Sequence, residues 1–211
     1  MKKLLLYLLN LLFPARCIFC RDYLPWDAPS PFCPRCAAEH PPLPPRSIPI
    51  DAGTCYYVLD YREGVRRAIL AFKFQGMAQY AAALGPLLAP LAAQWGQADC
   101  VTWAPVSPLR LQRRGYDQSR LLAEAVGRAL DIPVIPLLHK RRHNRRQSRL
   151  PRDKRRDNVR GVYAVTERNS PLGLRVLLID DIVTTGATLS ACCQTLYAAG
   201  AREVLCAALA H

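Results

Sequence analysis

From residue 54 onward, apolar positions fall alternately into short runs and helical stripes. Cys55 to Tyr61 predicts a strand. Gly64 to Phe74 places apolar residues at 65, 68, 69 and 72, the stripe of a helix with one buried face. Tyr80 to Trp95 predicts another helix in spite of Pro86 and Pro90. Strand-like runs at Cys100 to Ala104, Val134 to Leu138, Val176 to Ile179 and Glu203 to Leu209 then alternate with helical stretches at Gln118 to Leu130 and Leu189 to Ala198. Strands separated by helices of this length predict an α/β fold, a parallel sheet with crossover helices. Ligands of such sheets bind beyond the carboxyl ends of the strands. No internal repeat interrupts the pattern.

Residues before 54 read differently. Pro41-Pro42-Leu43-Pro44-Pro45 is a stiff, extended linker, and it predicts a division into residues 1–45 and residues 46–211. Met1 to Phe13 places Lys2 and Lys3 ahead of seven leucines and so imitates an export signal. Pro14-Ala15-Arg16 offers no small-x-small cleavage site, and Arg16 directly before Cys17 spoils a lipoprotein reading. The apolar run is also too short to span a bilayer. The expectation is a short docked helix ended by Pro14, with contact of residues 1–13 with a membrane surface as the alternative. Nine cysteines without a secretion signal predict a reducing, cytoplasmic location.

Four of those cysteines form a pattern. Cys17-Ile18-Phe19-Cys20 and Cys33-Pro34-Arg35-Cys36 are two CxxC pairs twelve residues apart, close to the spacing of a tetrahedral four-thiolate zinc site. A proline-rich segment this short needs an internal cross-link to fold. Four thiolates leave no open coordination position, so the predicted zinc is structural. A redox dithiol would need one CxxC pair and not two. Cys55, Cys100, Cys192, Cys193 and Cys206 lie in apolar contexts and are expected to pack as small hydrophobes.

The most informative stretch is Val176-Leu177-Leu178-Ile179-Asp180-Asp181-Ile182-Val183-Thr184-Thr185-Gly186-Ala187-Thr188. An apolar strand ends in two acids, and a Thr/Gly loop opens a helix. Paired carboxylates grip vicinal hydroxyls, while backbone N–H groups and hydroxyls at a helix N-terminus receive a phosphate dianion. The predicted ligand is a sugar phosphate.

Charge sharpens the picture. The chain of 211 residues carries 29 Lys and Arg against 16 Asp and Glu, a formal +13. Residues 139–160 hold eleven basic and two acidic side chains, and residues 110–120 hold four and one. Such concentrated positive segments attract polyanions. Eleven basic groups exceed what one pyrophosphate can use, which points to a polynucleotide track, with a merely solvated basic loop as the bland alternative. Tyr116 and Tyr163 are the aromatic residues near these segments, thin support for base stacking.

The thirteen residues from Val176 to Thr188 resemble the phosphoribosyl pyrophosphate (PRPP) signature of type I phosphoribosyltransferases. Across the chain the resemblance is to the ComF competence family, in which a four-cysteine zinc module precedes a phosphoribosyltransferase domain. It is carried by the two CxxC pairs, Phe72-Lys73-Phe74-Gln75-Gly76, Ala104-Pro105-Val106-Ser107-Pro108-Leu109, Arg113-Arg114-Gly115-Tyr116-Asp117-Gln118, and Arg155-Arg156-Asp157-Asn158-Val159. The resemblance implies the type I phosphoribosyltransferase fold behind a zinc-ribbon-like module with Cys17, Cys20, Cys33 and Cys36 as metal ligands. It implies that Asp180 and Asp181 hold the ribose hydroxyls of PRPP bound with Mg²⁺. Thr184, Thr185, Gly186, Ala187 and Thr188 would hold the 5′-phosphate, and Pro105, Val106 and Ser107 would lie in the pyrophosphate loop. Lys140 to Arg160 would be a mobile loop closing over the site.

Two departures from the family pattern fall in ligand loops: Asp117 stands in the position of an Asn, and Asn144 in that of a Thr ahead of Gln147. Acceptor or DNA contact is expected from Lys73, Arg113, Arg114, Tyr116, Asp117, Gln118, Arg141, Arg142, Arg145 and Arg146. Two functions compete. One is a PRPP/Mg-binding protein that also holds single-stranded DNA internalised during natural transformation, with a helicase-like partner as a further expectation. The other is an active PRPP-dependent glycosyltransferase whose acceptor the sequence does not reveal.

Overall fold

A computed structural model describes residues 7, 11–41, 44, 46–141 and 161–211. After the short helix α1 (Pro34–Glu39) come β1 (Arg46–Ile50), β2 (Gly53–Leu59), α2 (Glu63–Phe74), α3 (Tyr80–Leu84), α4 (Ala89–Trp95), β3 (Cys100–Trp103), α5 (Pro108–Arg114) and α6 (Gln118–Leu130). There follow β4 (Leu138–Lys140), β5 (Tyr163–Val165), β6 (Arg175–Ile182), α7 (Ala187–Ala198) and β7 (Glu203–Ala210).

Five strands form one sheet in the order β1-β2-β7-β6-β3. β2, β7, β6 and β3 run parallel, and β1 returns antiparallel along the edge. Helices cover both faces, so the central strands are apolar on both sides. In β6, Leu177 and Ile179 join the core beneath α2 and α6, while Val176 and Leu178 join the core beneath α7. β4 and β5 pair as a separate antiparallel hairpin.

The expected helix over 80–95 is broken into α3, a 3₁₀ turn at Gly85–Leu88, and α4. Pro86 and Pro90 each stand in the first turn of a new piece, where the missing N–H costs nothing. The expected strand over 134–138 is also absent as such. Val134 makes an isolated parallel bridge with Val101, and the hairpin strand β4 begins only at Leu138. Pro133 and Pro136 bracket the bridge and supply no ladder donors.

The cysteine-bearing segment does not stand apart. Cys17, Ile18, Phe19, Leu24 and Cys36 belong to the same buried cluster as Val65, Ile69, Phe72 and Leu84. Arg67 in α2 donates from Nε to the Phe19 carbonyl at 2.8 Å. At Gly64 a Cβ would lie 3.0 Å from both Phe19 and His40, so the small residue lets the segment seat directly on the helix. Among the described residues, no helix is long and apolar enough to cross a membrane.

Candidate functional site

The site lies where β6 ends. Asp180 and Asp181 are consecutive on the strand, and each finds a partner from a different element. Asp180 Oδ1 accepts from Ser119 Oγ, at the start of α6, and from the Asp181 backbone N–H, both at 2.8 Å. Asp181 Oδ1 lies 2.9 Å from Lys73 Nζ at the end of α2. Burial, and then the neighbouring Asp181 carboxylate, push the Asp180 pKa up to about 7. The Ser119 hydroxyl and the Lys73 ammonium work in the other direction.

Beyond the acids the chain turns through Thr184, Thr185 and Gly186 into α7, which Ala187 and Thr188 begin. Asp180, these residues and Ile182, Val183 and Leu189 line one small cleft. Gly186 is the helix N-cap at φ +71° and contributes no side-chain cap, so no N-cap side chain occupies the first amides of α7. A Cβ there would meet Ile50 Cγ2 at 2.1 Å. The glycine thus serves both the left-handed turn and the close seating of β1.

Pro105, Val106 and Ser107 connect β3 to α5. Ser107 caps α5 by accepting from the Arg110 N–H at 3.4 Å. The Val106 N–H donates to Asp117 Oδ2 at 3.0 Å, and Asp117 Oδ1 accepts from the Arg120 N–H at 3.2 Å as the cap of α6. Asp117 is buried, and burial raises its pKa while these two amides oppose the rise. Its carboxylate therefore fastens the 105–107 loop to α6.

Gln118 is fully buried and accepts from Arg114 Nη1 at 2.6 Å. Tyr116 packs its half-buried ring beside Phe72 and donates its hydroxyl to the Phe72 carbonyl. Arg113 and Arg141 are exposed. Arg142, Arg145, Arg146, Asn144, Gln147 and nearly all of the expected mobile loop lie outside the described residues.

Two features escaped the sequence reading. The bond of Ser119 to Asp180 is one. The pairing of Lys140, placed in the expected mobile loop, with Tyr163, named as a stacking aromatic, is the other: facing each other across the β4–β5 hairpin, they join through Nζ and the phenol oxygen at 3.0 Å. Burial, and then Arg110, lower the Lys140 pKa, while Asp180 and Asp117 hold it up. Burial raises that of Tyr163, against the opposing influence of the Thr188 side chain. The small cleft brings the Asp180 carboxylate and the open start of α7 together, with the next residue, Asp181, paired to Lys73. It can hold hydroxyls and an anionic group at once.

The sulfurs of Cys17, Cys20, Cys33 and Cys36 all lie within 4.8 Å of one another, with Cys20 and Cys33 3.7 Å apart. Four thiolates about 2.3 Å from one tetrahedral ion lie about 3.8 Å apart, so this cluster can hold a metal ion. Cys17 Sγ also accepts from the Cys33 N–H at 3.3 Å, and Cys33 Sγ from the Cys36 N–H at 3.4 Å, the outer bonds that orient thiolate ligands.

The phosphoribosyl transferase domain family matches residues 117–211, the stretch from Asp117 through the acid pair to the end of β7. Competence protein F of Haemophilus influenzae is 37% identical over 103 residues, covering 47% of this chain and 44% of that protein. Over this region the chain is similar to competence proteins of the ComF kind. Its architecture is the type I phosphoribosyltransferase fold behind a four-cysteine module. DNA utilization protein YhgH of Salmonella typhimurium is 29% identical over 195 residues, covering 82% of this chain and 80% of that protein. A glutamine PRPP amidotransferase from B. subtilis, solved with ADP and GMP, is similar at a TM-score of 0.42 and 30% identity, over 60% of this chain and 25% of the other. The matched region spans less than half the length of the Haemophilus relative.

Proposed function

We propose that this chain is a protein of the ComF kind that binds PRPP with Mg²⁺ at the end of β6 and single-stranded DNA on the adjoining basic surface, handling DNA internalised during natural transformation. One observation carries the first half: the Asp180–Asp181 pair runs directly into the Gly186 turn and the open N-terminus of α7. Carboxylates there suit the ribose hydroxyls, and the helix amides suit the 5′-phosphate. Pro105, Val106 and Ser107 would hold the pyrophosphate, whose charge Mg²⁺ bound with the ligand would neutralise. The DNA half is supported by the basic segments and by relatives named for competence and DNA utilization.

Both oxygens of Asp117 are taken by backbone amides, which favours a binding role over acceptor activation by that residue. The ion of the cysteine cluster is a structural zinc, and the reduced thiols fit a cytoplasmic protein. We place the division between the metal module and the ligand-binding domain at residues 45 and 46.

A thermal shift tests the PRPP site. PRPP with Mg²⁺ at about a hundred times its dissociation constant adds about 2.7 kcal/mol, or roughly 5–10 °C for a chain of this size. The D180N/D181N protein should show no such rise. An equal rise in the variant would overturn the assignment.

A further inference from the structure

We infer that Phe74, backed by Arg114, is a stacking seat for one base of a single-stranded nucleic acid at the mouth of the acidic site. The seat rests on the DNA reading above and gives it an aromatic platform, which the sequence alone left thin. Tyr116 does not serve, because its ring packs beside Phe72 and its hydroxyl is tied to the Phe72 carbonyl. Phe74 is different. It ends α2, directly after Lys73, which turns inward to Asp181, and its own side chain is left 65% exposed.

The Arg114 guanidinium lies 4.7 Å from the Phe74 ring centroid, and its Nη1 is held by Gln118 Oε1 at 2.6 Å. One face of the ring is thereby covered by a fixed cation. The exposed remainder of the ring is available to a flat π system.

The surroundings select the ligand. α5 buries none of its residues, and it carries Arg110, Arg113 and Arg114, with Leu109 and Leu111 39% and 44% exposed. No acid stands among its seven residues. An aromatic ring beside such a cationic helix complements a strand that offers bases and phosphates together, where bases stack and arginines follow the backbone. Asp181, the nearby acid, is already paired with Lys73.

Fluorescence anisotropy at low salt, comparing an oligothymidylate with an abasic strand of equal length, separates stacking from phosphate contact. The wild-type protein should hold the base-bearing strand about tenfold more tightly. Phe74→Ala should bind both strands alike, at the abasic level and with an unchanged melting temperature, while Phe74→Trp keeps the preference. A preference that persists in Phe74→Ala overturns the seat. Equal, salt-dependent binding of both strands by the wild-type protein removes the seat and leaves the DNA reading standing. Absence of binding to either strand defeats the DNA reading, and the seat with it.

Discussion

Lys73 Nζ sits 2.9 Å from Asp181 Oδ1 and so joins the end of α2 to the end of β6. Two carboxylates on neighbouring residues repel each other, and the side chains of this ion pair are only 17% and 11% exposed. The ammonium offsets part of that repulsion. It also connects the acid pair to the helix on which the cysteine module is seated, through Gly64 and Arg67.

Removing the ammonium leaves a shielded carboxylate uncompensated. Lys73→Met, which keeps most of the stem, should lower stability by about 1–3 kcal/mol, the cost of breaking a buried pair reduced for its partial exposure. Adding Asp181→Asn should recover most of the loss. Thermal denaturation of both singles and the double variant measures the coupling, and strictly additive effects would show that the contact carries no energy.

Asp180 gives the unliganded protein a pH dependence. Its pKa rises from the ordinary 3.8 to about 7, chiefly through burial and Asp181, against Ser119 and Lys73. The folded state therefore holds a proton that the unfolded state releases. Its contribution to stability is full below the unfolded pKa and is lost as pH rises through about 7. Asp180→Asn should narrow the difference in melting temperature between pH 5 and pH 8 by several degrees. A difference unaltered by the substitution would contradict the shift.

Much of this arrangement was legible in the chain because it is local. Helix α6 was read at its observed bounds, since Asp117 caps its start and the amphipathic stripe ends at Leu130. Asp180 to Thr188 was legible for the same reason, a strand, turn and helix start written contiguously. The bond of Ser119 to Asp180 and the contact of Lys140 with Tyr163 were not, because they join elements distant in sequence and carry no local motif. β1 was hidden by Pro49, which an edge strand tolerates, and α5 by having no buried face to leave a stripe. Asp117 was visible as a departure from the family, but only its bonds to the amides of Val106 and Arg120 show what the carboxylate does.

Gly186 should resist substitution. Gly186→Ala must adopt φ +71° and drive a methyl into Ile50. A loss of about 2–4 kcal/mol is expected from strain and overpacking together. Adding Ile50→Ala should recover only part of the steric cost, because the Ile50 Cβ itself would stand 2.8 Å from the added methyl, and should leave the backbone part. Wild-type melting behaviour in Gly186→Ala would rule out the close seating of β1 on this turn.

Metal removal should reach beyond the cysteine module. Cys17, Phe19 and Cys36 share a buried cluster with Val65, Ile69 and Phe72, so chelation should lower the melting temperature of the whole chain in a single transition. Elemental analysis should find about one zinc per chain, and none in Cys17→Ser/Cys36→Ser. A chelated protein with an unaltered transition would show that the module is dispensable for the core.

The most direct measurement is a calorimetric titration of the zinc-loaded protein with PRPP and Mg²⁺, repeated on D180N/D181N. Saturable binding to about one site per chain, lost in the variant, is the predicted result. Failure of the wild-type protein to bind PRPP, or retention of full affinity by the variant, would contradict the assignment of the β6 acids and the Gly186 turn as a phosphoribosyl site.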